Sequence, residues 1–157
     1  MARTTRRRFL KTTAAAGVGF WVAGGISPKR SLAANEEIRF AAIGVGGKGR
    51  SDSSDAARAG KMVAIADCDE NTLDKAAGAR GFEEAKTYAD WRKMLDEMDK
   101  SIDAVTVSTP DHSHAPAAIR AMKMGKHCFC QKPLTHTIHE ARLMGEVARE
   151  MKVVTEM

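Results

Sequence analysis

The stretch Ile38-Arg39-Phe40-Ala41-Ala42-Ile43-Gly44-Val45-Gly46-Gly47-Lys48-Gly49 decides the fold. Its first half, Ile38 to Ile43, is an apolar run of strand length, and Gly-x-Gly-x-x-Gly follows at once. Ser, Asp and Ala residues suited to a helix come next, over Arg50 to Ala59. A second apolar run, Met62 to Ala66, leads into Asp67, 23 residues beyond Gly44. Strand, glycine turn, helix, strand and terminal acid make a β-α-β unit with the layout of a dinucleotide site.

Each part has a physical task. Gly44 permits the tight strand-to-helix turn, where a side chain would force strain. Gly46, with Gly47 beside it, lets backbone approach a pyrophosphate, and Gly49 lets the helix pack against the strand. The helix N-terminus offers unpaired N–H groups and the positive end of its dipole to the phosphates. Asp67 can accept hydrogen bonds from the adenosine ribose hydroxyls, and its charge would repel a 2′-phosphate. That favours NAD over NADP. The helix over Arg50 to Ala59 has only alanines as apolar residues, so it can lie close on the sheet but buries little area.

With 157 residues the chain suffices for one domain with a real core. The net charge of +5 is unevenly placed. Residues 1–34 hold seven basic side chains and no acid, leaving the remainder at −2. With that charge and 5% aromatic residues, nothing offers a surface for nucleic acid, which is excluded as a partner.

The basic residues belong to an address. Thr5-Arg6-Arg7-Arg8-Phe9-Leu10-Lys11 precedes a mildly apolar run from Thr12 to Ile26, then Ser31-Leu32-Ala33-Ala34. A basic start, a short apolar centre and small residues before a cut read as a signal peptide, and the TRRxFLK pattern resembles the twin-arginine export signal. Cleavage is expected before Ala34 or, less well, before Asn35; an uncleaved amphipathic or anchoring helix is the alternative. Residues 1–34 are therefore set apart from the domain, 35–157, and the twin-arginine machinery is an expected partner. The expected location is the periplasm or the exterior. Export after folding suits a protein that must load NAD in the cytoplasm and hold it tightly.

Further along, a helix is expected over Glu70 to Arg80, a short strand at 86–88, and a helix from Ala89 to Met98 that places Trp91, Met94, Leu95 and Met98 on one face. Trp91 reads as core. Ile102 to Ser108 is a buried strand, followed by a turn over Thr109 to His114, a helix over Ala115 to Met124 and a strand over His127 to Gln131. Thr137 and Glu140 form a capping box for a helix running to about Met151, and Val153 begins another strand. Alternating strands and helices predict a doubly wound parallel α/β sheet, the Rossmann arrangement, with ligand at the carboxyl ends of the strands. The glycine loop, Asp67, the Thr109-to-His114 turn and Gln131-Lys132-Pro133 should line one crevice. Cys128 and Cys130 alternate on a strand and should pack in the core, and no His or Cys pair has the spacing of a structural zinc site, so no metal is expected.

The glycine loop, Asp67, Ser108-Thr109-Pro110-Asp111-His112-Ser113-His114 and Gln131-Lys132-Pro133-Leu134 together resemble the Gfo/Idh/MocA oxidoreductases, relatives of glucose–fructose oxidoreductase and inositol dehydrogenase. The resemblance runs from about Ile38 to the last residue. It implies that Thr109 and Pro110, next to Ser108 and Asp111, set backbone against the nicotinamide half of NAD, with His114 near its ribose. It implies that Lys132 points at the nicotinamide and the reacting carbon as the catalytic residue. Asp111 and Gln131 depart from it, standing where asparagine and glutamate are usual; Gln131 can still bond a ribose hydroxyl. The resemblance further implies a larger second domain that carries much of the sugar site and mediates homo-oligomers. That domain is expected to be missing from this stretch, leaving a piece that binds NAD weakly and turns over no substrate.

The expected activity is hydride transfer between NAD and a sugar, cyclitol or related polyol. Two alternatives stand beside it: glycoside cleavage that uses bound NAD transiently, and a non-catalytic NAD- or sugar-binding relative.

Overall fold

The computed structural model describes residues 37–157. The expected export signal, residues 1–34, lies outside the described residues. Strands β1 (Arg39–Ile43), β2 (Lys61–Ala66), β3 (Lys86–Tyr88), β4 (Ala104–Val107), β5 (His127–Cys130) and β6 (Thr155–Glu156) form one sheet in the order β3-β2-β1-β4-β5-β6. Every pairing is parallel. Helices α1 (Gly47–Ala59), α2 (Glu70–Ala77), α3 (Trp91–Met98), α4 (His114–Lys123) and α5 (Ile138–Met151) connect them. The doubly wound α/β sheet expected from the sequence is the one formed.

A parallel sheet covered on both faces needs apolar residues on both. Ala41, Ile43, Val105 and Val107 lie in one cluster with Met94, Leu95, Met122 and Val147 of α3, α4 and α5. Ala42, Met62 and Ile65 face the other way, toward Ala56 of α1 and Leu73 of α2. The alternation along β1 therefore sorts its residues between two cores. Cys128 and Cys130 are buried in the first cluster, as period-two spacing required.

Local signals set the ends of the helices. Asp69 caps α2 by accepting from the Asn71 N–H at 3.1 Å, and Gly78 stops it before the Arg80 expected from sequence. Asp90 caps α3 in the same way through Arg92 N–H at 2.8 Å. Thr137 and Glu140 make the reciprocal capping box of α5. That helix ends on Lys152 in the left-handed conformation (φ 54°), which delays β6 to Thr155.

Strand order reverses between β1 and β4, because β2 and β3 extend the sheet on one side and β5 and β6 on the other. A crevice opens where connections diverge from such a switch point. Backbone bonds carry the ladder past the strand ends there: Gly44 N–H to Ala66 O at 2.8 Å, Ser108 N–H to Ile43 O at 2.9 Å, and Gln131 N–H to Val107 O at 2.8 Å. The loops that follow therefore start from fixed positions.

Candidate functional site

The glycine loop is built by close approaches. Gly44 has φ +81°, and a Cβ there would lie 2.6 Å from the Ser108 carbonyl oxygen. A Cβ on Gly49 would lie 2.1 Å from the Gly44 carbonyl oxygen. Both contacts are far inside van der Waals range, so α1 can leave β1 and pass β4 only if these residues are glycine. The helix opens at Gly47, three residues earlier than expected, because the glycines themselves wind into its first turn.

Gly46 is the N-cap of α1, and no side chain caps the helix; its first turn also contains no acid. The leading N–H groups and the positive helix end therefore face the crevice unneutralised. Asp67 stands beside them. Its Oδ2 accepts from the Val45 N–H at 3.0 Å, and its Oδ1 accepts from the Asp69 N–H at 3.1 Å. A Cβ on Gly46 would come within 3.9 Å of Asp67 Oδ2 and 3.0 Å of Thr72 Cγ2. These residues fit a dinucleotide: bare amides for phosphate, a half-buried carboxylate for ribose, and a cradle that a side chain would fill.

A cleft of about 630 Å³ runs along this edge. Gly44, Gly46, Asp67, Ser108, Thr109 and Pro110 line it, together with Cys68, Trp91 and Arg92. Gly46 and Gly47 also border a smaller cleft between α1 and α2, with Arg50 and Lys75. Gly49, Asp111, His114, Gln131 and Lys132 do not line the large cleft. Gly49 is buried under the loop, and Asp111 is exposed, accepting from the His112 N–H at 3.0 Å. Lys132 is exposed beyond β5, and the Lys132–Pro133 peptide is cis.

His114, which the resemblance implies lies near the ribose, is held by the protein's own backbone. It is 1% exposed, with Nδ1 2.8 Å from the Pro133 carbonyl and Nε2 2.6 Å from the Thr109 carbonyl. Both nitrogens are engaged, so the ring clasps the turn after β4 to the turn after β5. Trp91 also departs from a purely core role. It is half-buried, packs on the core on one side and borders the cleft, with the Arg92 guanidinium 4.4 Å from its ring centre.

Asp52 was not among the residues singled out from sequence. It is 7% exposed, and it receives the Lys48 ammonium, the Ser108 hydroxyl at 2.7 Å and the Gln131 side-chain amide at 2.8 Å. Burial pushes its carboxyl up, but hydrogen bonds from Lys48, Gln131 and Ser108 outweigh that and hold it below its ordinary value. A signal was present: Gly49, Asp52, Ser53 and Ala56 share one helical face, and all four are buried.

Residues 38–157 match the model of an oxidoreductase family with an NAD-binding Rossmann fold, GFO_IDH_MocA. Levoglucosan dehydrogenase of Pseudarthrobacter phenanthrenivorans is 37% identical over 90 residues, covering 57% of this chain and 22% of that protein. A glycosyl hydrolase family 109 protein of Solibacter usitatus is 31% identical over 155 residues, covering 89% of this chain and 35% of that one. The crystal structure of myo-inositol 2-dehydrogenase from Lactobacillus plantarum superposes with a TM-score of 0.67 at 29% identity, over 77% of this chain and 36% of that one. The chain thus spans between 22% and 36% of the length of these proteins. Relatives named for NAD and for NADP both match. By its glycine loop, its parallel sheet and the match over residues 38–157, this chain belongs to the Gfo/Idh/MocA family of oxidoreductases.

Proposed function

We propose that this domain holds NAD along the carboxyl ends of β1, β2 and β4, as the cofactor half of an oxidoreductase acting on a sugar, cyclitol or related polyol. The observation that carries the reading is the meeting of an uncapped helix N-terminus with the Asp67 carboxylate at one glycine loop. Backbone at Gly44, Gly46, Gly47 and Gly49 lets phosphates reach the first-turn amides of α1. Asp67 keeps lone pairs free for ribose hydroxyls, since each oxygen accepts only one backbone N–H. Its negative charge opposes a 2′-phosphate, which supports NAD over NADP.

On this reading Ser108, Thr109, Pro110 and Asp111 set the nicotinamide half, and His114 keeps that turn in register with the Gln131-Lys132-Pro133 turn. Bound NAD supplies a hydride acceptor. Lys132 is the catalytic residue: from its exposed place past β5 it hydrogen-bonds the reacting hydroxyl and stabilises negative charge on that oxygen. Second-domain residues and homo-oligomer contacts belong to the whole protein and are part of the same proposal. So is export by the twin-arginine route with the cofactor already loaded.

A second reading has a specific support. The glycosyl hydrolase family 109 relative matches over 89% of this chain, which favours glycoside cleavage with NAD reduced by the sugar and re-oxidised inside each turnover. Assay of the whole protein separates the two: net NADH from free sugars supports the dehydrogenase, and release of an aryl leaving group without net NADH supports the glycosidase. No heat on titrating NAD into this chain would remove both.

A further inference from the structure

The Asp52 carboxylate joins three elements. It sits on α1, three residues past Gly49, and its Oδ2 alone receives Ser108 Oγ–H at 2.7 Å and Gln131 Nε2–H at 2.8 Å. Those donors stand at the carboxyl ends of β4 and β5. Gln131 then uses its other amide atom, Oε1, to accept the Lys132 backbone N–H at 2.8 Å. A carboxylate can only accept, so it draws the NH₂ end of the Gln131 amide toward itself and leaves the carbonyl end for Lys132. Reversal of that amide would leave both ends facing like groups.

The pairing also accounts for glutamine at 131. A glutamate there would set two carboxylates at hydrogen-bond separation, where both cannot stay ionised without a large cost. The other charged groups near Asp52 do not change this. Lys48, one turn earlier, already engages Oδ1, and Asp55, three residues on, is engaged by Arg58. Ser108 and Gln131, from the two strand ends, are neutral.

We propose that Asp52 is a positioning residue for the Lys132 turn: acting through the Gln131 amide, it sets how that turn presents Lys132 to the nicotinamide end of the cofactor. The inference rests on the reading of the crevice as a dinucleotide site. Asp52 itself does not line the large cleft. Its part is to fix, from the helix, which end of the Gln131 amide faces the Lys132 backbone N–H.

The test compares NADH with ADP-ribose, which has no nicotinamide, as ligands of the wild-type chain, Gln131→Glu, Asp52→Asn and the double variant. In Gln131→Glu at about pH 8, NADH affinity falls about tenfold, as expected for losing a hydrogen bond to a charged group, while ADP-ribose stays within about twofold. At about pH 6 part of the NADH loss is recovered, because the paired carboxyls take up one proton. Asp52→Asn shows the same selective loss in smaller measure. The double variant, with donor and acceptor exchanged, regains NADH binding and loses the pH dependence. Unchanged NADH binding in Gln131→Glu overturns the proposal, as does an equal fall for both ligands or a double variant no better than the single one. A wild-type chain that binds neither ligand overturns the dinucleotide reading itself; a wild-type chain that binds both, with no selective loss in the variants, overturns the role of Asp52 alone.

Discussion

The Asp67 carboxylate accepts the backbone N–H of Val45 at 3.0 Å, so the acid that ends β2 is tied to the first residue inside the glycine loop. The loop and its acid are one unit, held by a bond that crosses from β2 to the β1–α1 turn. The carboxylate thus lies beside the uncapped start of α1, held there by the protein's own backbone. Preorganisation of that kind reduces what a ligand must order on binding.

The four glycines of the loop are not equivalent. Gly49→Ala would drive a methyl to 2.1 Å from the Gly44 carbonyl, and Gly44→Ala would meet Ser108 O at 2.6 Å. Each should destabilise the fold by about 1–3 kcal/mol or more, as overpacking of a fixed backbone does. Gly47→Ala meets nothing within 4 Å and carries only its positive φ of 49°, so about 1 kcal/mol is expected. Urea unfolding of the three variants checks the order.

Asp52 should give stability an acid limb. Its carboxyl is held below the ordinary value of 3.8 in the fold, so the folded chain takes up that proton less readily than the unfolded one. The stabilisation is complete above the unfolded value and is lost as pH falls through the folded one. Asp52→Asn should therefore be less stable than wild type by about 1–3 kcal/mol at neutral pH, with the gap closing below about pH 4. Thermal melts across pH 3–7 follow the gap.

The three cysteines should divide by position. Burial, aided by the neighbouring Cys130, pushes the Cys128 thiol up to about 12, and burial alone does the same for Cys130. Cys68 is exposed and borders the large cleft. In a thiol-exchange assay of the native protein one thiol should react promptly and two only on unfolding. Saturating NADH should slow the prompt one.

The address at the N-terminus can be tested apart from the fold. Replacing Arg6 and Arg7 of the TRRxFLK pattern by Lys should keep the full-length protein in the cytoplasm with its signal uncut. Fractionation and immunoblotting read the outcome, and normal export of that variant would refute the twin-arginine reading.

Most of the fold was legible because β1, β2 and β4 are short apolar or β-branched runs closed by Gly44, Asp67 and Ser108. The capping box at Thr137 and Glu140 and the spacing from Gly44 to Asp67 were equally plain in the linear string. Boundaries moved where backbone geometry, not side-chain pattern, decides: Gly47 joins α1, and Lys152 turns left-handed before β6. The site was less legible. Asp52 belongs to a helix face read as weakly apolar, when two of its four buried residues are polar: Ser53 donates to the Arg50 carbonyl of its own helix, and Asp52 is satisfied by Ser108 and Gln131, far away in sequence. The resemblance placed His114 near the ribose, and its carbonyl partners at Thr109 and Pro133 could not be read from sequence, because they are fixed only once β4 and β5 lie side by side.

The central claim is that the bare amides of α1 and the Asp67 carboxylate together select the dinucleotide. Fluorescence titration of the wild-type chain and Asp67→Ala with NADH and with NADPH tests it most directly. The expected result is a wild-type preference for NADH of at least about tenfold, from like-charge repulsion of the 2′-phosphate, and its loss in the variant with weakened NADH binding. Equal affinity of the wild type for the two nucleotides, or NADH binding in Asp67→Ala as tight as in the wild type, would contradict it.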